Sequence, residues 1–459
     1  MSESIGEMIL PGTYIDVRAE GLIGVGGINT GNIGIVGTAD RGPVNVVQIL
    51  GSYTEALDVF GQYDAWQPSG DPLSLTRALE QVFKGGGSTV YAVRIANGTP
   101  VSRVFAVRDA TDAVLFTLTA TSGGTWATDI EVTLTNNTLE MTYQGNKEAF
   151  EGATALALFD AVASGSRLFI AAGLAEADEG TTATSVIQTI AGSNNGANAT
   201  VTELASGLTD LATQPINIIV AAGFGTQEAA GTMIAHLEAT ENDGLERIAI
   251  MGVTQDDVAD IINNDVGSVS NKRVVLVGPG IKANDARSRT QVDLPGAYSA
   301  ALVAGRLSTL APHISLTNKD VAADGLTREY TRAEQKQLLQ NRVMVLQKLF
   351  GYRALKGIST DMGAFKQISV RRIVDFAKAG VRKGSNPYIG KLNNVRVRGA
   401  LKATLDGFLA SMVLDEMLTE YQLDVSATRA QEINGIALVT MTLKPTFSID
   451  FVKVIMNLE

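Results

Sequence analysis

NIGIVGTADRGPVN, residues 32–45, decides the fold class. From Asn32 to Ala39 the run is apolar with only Gly and Thr interleaved, and the Arg41-Gly42-Pro43 turn stops it, so it reads as a buried strand. Ser52 and Glu55 stand at capping-box spacing ahead of a short helix that closes at Phe60-Gly61. Asp71-Pro72 opens a second predicted helix, in which Leu75, Ala78, Leu79, Val82 and Phe83 share one face until Gly85 ends it. Thr89 to Ile95, TVYAVRI, is another buried strand. Strand, helix, helix, strand is an α/β unit.

The same rhythm returns after Glu203. Ile216 to Ala222, Arg247 to Val253 and Arg273 to Val277 read as strands, with a helix from Gln227 to Thr240 between the first two. Ala297 to Leu310 reads as an Ala-rich buried helix and Arg328 to Gly351 as a longer amphipathic one. Between the two α/β portions the composition changes. Residues 101–200 hold 11 acids against 4 bases, alternate with Thr, and turn at Ser122-Gly123-Gly124 and Asn136-Asn137. This predicts an acidic β-rich insertion that exits through the loop Gly192 to Ala199. The first 30 residues contain one strand-like piece, Thr13 to Val17, and a glycine-rich run. They suit either a flexible terminus or an arm that becomes a strand on another sheet.

The last hundred residues read as α+β. A strand-like Lys366 to Val370 precedes a helix from Arg371 to Lys383. A second helix spans Val397 to Thr419, and strands follow at Ile436 to Leu443 and Phe447 to Leu458. This region is basic. From Arg342 to Lys402, 14 Lys and Arg stand against two acids, a local charge of +12 in a chain of net −11. Such asymmetry asks for a partner: nucleic acid, membrane or another protein surface. Ile373, Val374, Ala377 and Val381 are sized for a core, not for lipid, and no nucleic-acid reading motif accompanies the bases.

Chemistry is sparse. With no cysteine, disulfides and thiolate metal sites are excluded, and two histidines, His236 and His313, leave no multi-histidine site. The glycines at 24 and 26 fail the dinucleotide spacing because Asn29 stands where the third glycine belongs. Gly85-Gly86-Gly87 follows a helix and reads as its cap. No nucleophile elbow is present. No enzyme, cofactor or metal is expected. The N-terminus lacks the features of a secretory signal and no apolar run could span a bilayer, so a soluble, cytosol-made chain is expected.

Several motifs resemble contractile tail sheath proteins. PGTY at Pro11 to Tyr14, GIVGTADRGPVN at Gly34 to Asn45, and FKGGGSTVYAVRI at Phe83 to Ile95 are similar to the family's opening. TSGGTWATDIEV at Thr121 to Val132 is similar to the start of its inserted outer domain. ISVRRIVDF at Ile368 to Phe376 is similar to its strand-to-Arg-Arg-helix, and Lys444-Pro445 followed by a last extended piece is similar to its ending. Their colinear order is the specific feature.

The resemblance implies an α/β and α+β multidomain chain. An N-terminal arm would occupy 1–30, an α/β core 31–97 and 203–340, and an inserted β-rich outer domain 98–202. A C-terminal α+β domain facing an inner tube would occupy 341–446, and a C-terminal arm strand 447–459. It also implies a homo-oligomer of hexameric rings stacked helically around an inner tail tube protein, with baseplate and tail terminator proteins as further partners. Contraction would drive the tube through a target envelope, without direct nucleic acid or membrane insertion. The place would be the virion tail, assembled in the host bacterial cytoplasm. Arg371, Arg372, Lys378, Arg382 and Lys383 would face the tube. Tyr14, Ile15 and Val17, with Phe447, Ile449, Phe451 and Val454, would form the inter-subunit arms. A nucleic-acid-binding protein using 342–402 and a subtilisin-like hydrolase are the alternatives from other classes.

Overall fold

A computed structural model of the chain describes residues 27–68, 72–190, 194–196 and 198–457. The N-terminal arm residues Tyr14, Ile15 and Val17 lie outside them. The first unit contains β1 (Ile33–Gly37), β2 (Val47–Leu50), α1 (Tyr53–Phe60), α2 (Leu75–Lys84) and β3 (Val90–Arg94). Ser52 caps α1, its side chain accepting from the Glu55 amide, while the Glu55 carboxylate takes the Gly51 amide. α2 starts later than the Pro72 signal suggests: Ser74 stands at its N-cap, with its hydroxyl already engaged by the Thr38 amide at 3.1 Å.

The insertion follows as β4 (Val104–Arg108), β5 (Val114–Ala120), β6 (Glu131–Thr135), β7 (Thr138–Tyr143), β8 (Asn146–Glu151), α3 (Ala155–Gly165), β9 (Phe169–Ala172) and β10 (Ser185–Ile190). Its strands form two antiparallel sheets, β10-β4-β5-β9 and β6-β7-β8. They enclose a separate core of Phe105, Phe116, Leu118, Trp126, Leu139, Met141 and Leu158. The turn that ends β1 also holds this unit. Buried Arg94 donates to the Gly42, Gly123 and Asn195 carbonyls, and the Arg41 guanidinium lies 5.5 Å from the Trp126 ring.

The α/β portion resumes with α4 (Val201–Asp210), β11 (Ile218–Ala221), α5 (Thr226–Asn242), β12 (Ile248–Gly252), a single turn α6 (Val258–Asp260) and β13 (Val274–Gly278). A small sheet of β14 (Ile281–Asn284), β15 (Gln291–Leu294) and β16 (Gly325–Leu326) surrounds α7 (Gly296–Ser308) in sequence. Then come α8 (Arg332–Gln340), β17 (Val343–Lys348) and β18 (Tyr352–Ala354). One eight-stranded sheet runs β18-β17-β13-β12-β11-β1-β3-β2, parallel except at its two edges. α1, α2 and α7 pack with one face, and α4, α5 and α8 with the other, which is why β1, β3, β11, β12 and β13 are buried along their whole lengths.

Two expectations are corrected here. The helix expected from Arg328 to Gly351 is nine residues, after which Arg342 adopts φ 62° and the chain becomes a strand. Residues 343–354 therefore extend the core sheet, and the core reaches beyond 340.

The C-terminal domain consists of α9 (Ile368–Ser385), α10 (Val395–Leu414), β19 (Leu418–Ser426), α11 (Arg429–Ile433) and β20 (Leu438–Pro445). Lys366 to Val370 is no strand, because Ile368 opens α9 and buries its side chain in the main core. α10 ends at Leu414, and β19, not helix, occupies Leu418 onward. Ile373, Ala377, Phe408, Leu409 and Met412 join the helices into a small core covered by β19 and β20. Residues 446–457 form no strand in the single chain.

Candidate functional site

The bases of α9 meet the α/β portion, with Arg371 and Arg372 buried, Lys378 half-buried, and Arg382 and Lys383 exposed. Arg371 is buried and donates to Asp375 at 2.6 Å, with its guanidinium 4.1 Å from the Phe365 ring centre. Arg372 donates to the carbonyls of Leu310 (2.8 Å), Ala311 (3.2 Å) and Thr30 (3.2 Å). Lys378 reaches Glu241 and Glu246, each at 3.2 Å. Arg382 pairs with Glu246 at 2.9 Å and donates to the Gly244 carbonyl at 2.6 Å. Lys383 lies 3.5 Å from the Gly27 carbonyl. Buried Arg273 of β13's leading turn completes the seam, bonding Glu241 at 2.7 Å and Asp375 at 2.8 Å.

The electrostatics follow from this geometry. Hydrogen bonds from Arg273 hold Glu241 far below the usual carboxylate range, against the opposing effect of burial. Burial raises Glu246, but its bonds from Arg382 and from backbone outweigh that and leave it lowered. Burial alone brings Arg372 down to about 10, so it stays charged at neutral pH while its three carbonyl partners solvate it. The seam joins the last turn of α5, the 243–246 loop and α9. Arg371 and Arg372 are thus engaged within their own subunit. The sequence reading missed Asp375 as the partner of Arg371, and Glu241 and Glu246 as those of Lys378 and Arg382, although the acids at the end of α5 and just after it are the complementary charge to the basic window.

The second feature lies beyond α10. β19 and β20 pair only with each other among the described residues. Tyr421, Leu423, Met441 and Leu443 turn inward onto the helices, leaving polar side chains such as Gln422, Asp424, Thr440 and Thr442 outside. Each strand keeps one row of backbone groups unpaired by another strand. The tail that follows this sheet has Phe447, Ile449, Phe451 and Val454 exposed by 63, 81, 83 and 73%. A run of apolar side chains this exposed is uncommon on a soluble surface.

Other chemistry is not assembled. His236 is buried in α5 with Nε2 3.1 Å from Arg247. Among the described residues no group of three His, Asp or Glu is placed to hold a metal ion, and no helix is long and apolar enough to cross a membrane.

The chain matches the phage tail sheath protein central domain over residues 197–360 and the phage tail sheath C-terminal domain over residues 360–459. The chain belongs to the phage tail sheath protein family. The junction of the two domains at 360 agrees with the sheet, which keeps β17 and β18 in the core. No curated protein matches the sheath chain in sequence. Among solved structures, it is similar to the sheath tail protein of Desulfitobacterium hafniense, at 16% identity over 95% of this chain and 100% of that one, TM-score 0.63. A sheath tail protein of Listeria innocua is 14% identical over 94% of this chain and 95% of that one, TM-score 0.66. The helical sheath of the anti-feeding prophage in its contracted state is 13% identical over 98% of this chain and 99% of that one, TM-score 0.57. These likenesses carry the mixed α/β fold, and the family places the sheath subunit in a tail or a phage-derived particle.

Proposed function

We propose that this sheath subunit polymerises by strand exchange. The observation that carries the reading is the combination of an open two-stranded sheet, β19–β20, with a tail of exposed apolar residues outside any helix or strand. One face of this sheet packs on α9 and α10, but among the described residues neither edge has a strand partner, and a third strand from a neighbour would extend it. The tail of one subunit, Phe447 to Val454, and the N-terminal residues Tyr14, Ile15 and Val17 of another are the strands to be donated. Main-chain hydrogen bonds would then hold neighbours together while the joints let stacked hexameric rings rotate and approach. On this reading the polymer surrounds an inner tail tube, is capped by baseplate and terminator proteins, and shortens to drive the tube through an envelope. Assembly would take place in the bacterial cytoplasm. The basic window fits poorly with nucleic-acid binding, because Arg371 and Arg372 are buried and Lys378 and Arg382 are shared with Glu241 and Glu246. Negative-stain microscopy of the purified chain tests the reading: tubes, rings or short helical polymers are expected, and a monomer persisting at high concentration would refute it.

A further inference from the structure

The tail leaves the hairpin at Pro445 and is gripped again a few residues later. The Asp450 carboxylate, only 10% exposed, accepts from Thr317 Oγ1 at 3.1 Å and Gln367 Nε2 at 3.1 Å, and pairs with Lys356 Nζ at 3.2 Å. The Gln367 amide also accepts from the Ser448 amide at 3.1 Å and donates to the Ser448 carbonyl at 3.4 Å, as a neighbouring strand would. Lys356 adds a second contact, 5.0 Å from the centre of the Phe451 ring. Beyond Phe451 the described tail is held by nothing comparable, and Val452, Val454, Ile455 and Met456 are 73–84% exposed.

The gripping residues are tied to the main core. Lys356 follows β18 by two residues, Thr317 Oγ1 accepts from the Gly357 amide at 3.0 Å, and Gln367 bridges to Ile358. The hairpin, by contrast, is poorly placed to bear a pull. β19 and β20 are antiparallel with Leu418 opposite Pro445, so the end of β20 lies beside the start of β19. A force entering at Pro445 and resisted at Leu418 opens the ladder one pair at a time, the weakest way to load antiparallel strands.

We propose that Asp450 is the load point of the tail, passing tension on residues 452–457 into the core through Lys356, Thr317 and Gln367 and sparing the β19–β20 hairpin. The proposal rests on the reading that the tail is donated to a neighbour, but its test does not need assembly. The chain has no cysteine, so Glu238→Cys on the exposed side of α5 and a cysteine appended after Glu459 give two handles for single-molecule pulling. The wild-type hairpin should stay closed until the Asp450 contacts break. In Asp450→Ala it should open first, at lower force, releasing roughly 100 Å at about 3.5 Å per residue. Lys356→Ala, which keeps the other two bonds, should fall between. Hydrogen exchange at the Ser448 amide of the unassembled chain should rise about tenfold in Asp450→Ala, while β12 and β13 amides report an intact core. An unchanged first opening force, or unchanged Ser448 exchange, overturns the proposal. Failure of the sheath reading would show separately, as absence of polymers from the unaltered chain.

Discussion

Gly380 of α9 has no room for a side chain. A Cβ built there would stand 1.9 Å from Phe408 Cζ, so the ring of α10 occupies the space that any other residue would need. Gly380→Ala should destabilise the C-terminal domain by about 1–3 kcal/mol, the usual cost of overpacking a small core. Urea unfolding followed by a probe in that domain measures it. Phe408→Leu in the same chain should recover part of the loss, and full additivity of the two changes would rule out the steric account. His236 makes a second forecast. Burial first, and then the Arg247 charge, lower its pKa to about 4 from the ordinary 6.5. Between those values the unfolded chain takes up a proton that the folded ring refuses, so stability falls on acidification, by an amount on the order of 2–3 kcal/mol. His236→Gln can still accept from Arg247 but does not titrate. Its urea midpoint should therefore fall less than that of the wild type between pH 7 and pH 4.5; equal losses would show that this ring is protonated in the native core.

α9 shows how far an element can be read from sequence. Its helical spacing separated Ile373 and Ala377 from Arg371, Lys378 and Arg382, and the structure keeps that division. What the spacing could not give was the partner of the charged side, because Glu241 and Glu246 lie more than a hundred residues away and meet it only through the fold. Other elements were lost for local reasons. Val343 to Leu346 is apolar on both faces, and such a run fits a buried helix or a buried strand equally. The turn at Arg342, with φ 62°, decides it. In β19 the alternation of Tyr421, Leu423 and Val425 with polar residues is visible in the sequence, but it follows the α10 pattern after only a short turn. The role of Gln367 and Asp450 has no sequence signal, since their bonds join points 81–83 residues apart. The seam itself is testable. Lys378→Glu with Arg382→Glu places repulsion against Glu241 and Glu246. The unassembled double variant should exchange α9 amides faster, by at least about tenfold, with the core strands unaffected. If those side chains served only a second protein, the isolated chain would not change.

At the scale of the whole molecule, the charge imbalance and the exposed tail have different fates. Part of the +12 of residues 342–402 is met inside the chain, where Lys348, Lys356, Lys378, Arg382, Arg398 and Lys402 reach the outside acids Glu329, Asp450, Glu241, Glu246, Glu432 and Asp424. The apolar tail has no such internal answer. Seven of its side chains, from Phe447 to Met456, are at least 63% exposed, while among the described residues the β19–β20 sheet has two free edges. Burying them on another subunit would remove apolar surface from water at about 25 cal/mol per Å², and the added backbone bonds would fix the register. Two truncations separate assembly from folding. Removing residues 452–459 leaves the Asp450 contacts in place, and removing 447–459 takes them away too. Both chains should keep the thermal unfolding of the core, because neither segment contributes a residue to its buried clusters. Both should sediment as a monomer at concentrations where the full chain forms polymers. The longer deletion alone should lower the stability of the β19–β20 hairpin, read by hydrogen exchange of its amides. If either truncated chain still builds polymers, the tail is not the strand that joins subunits.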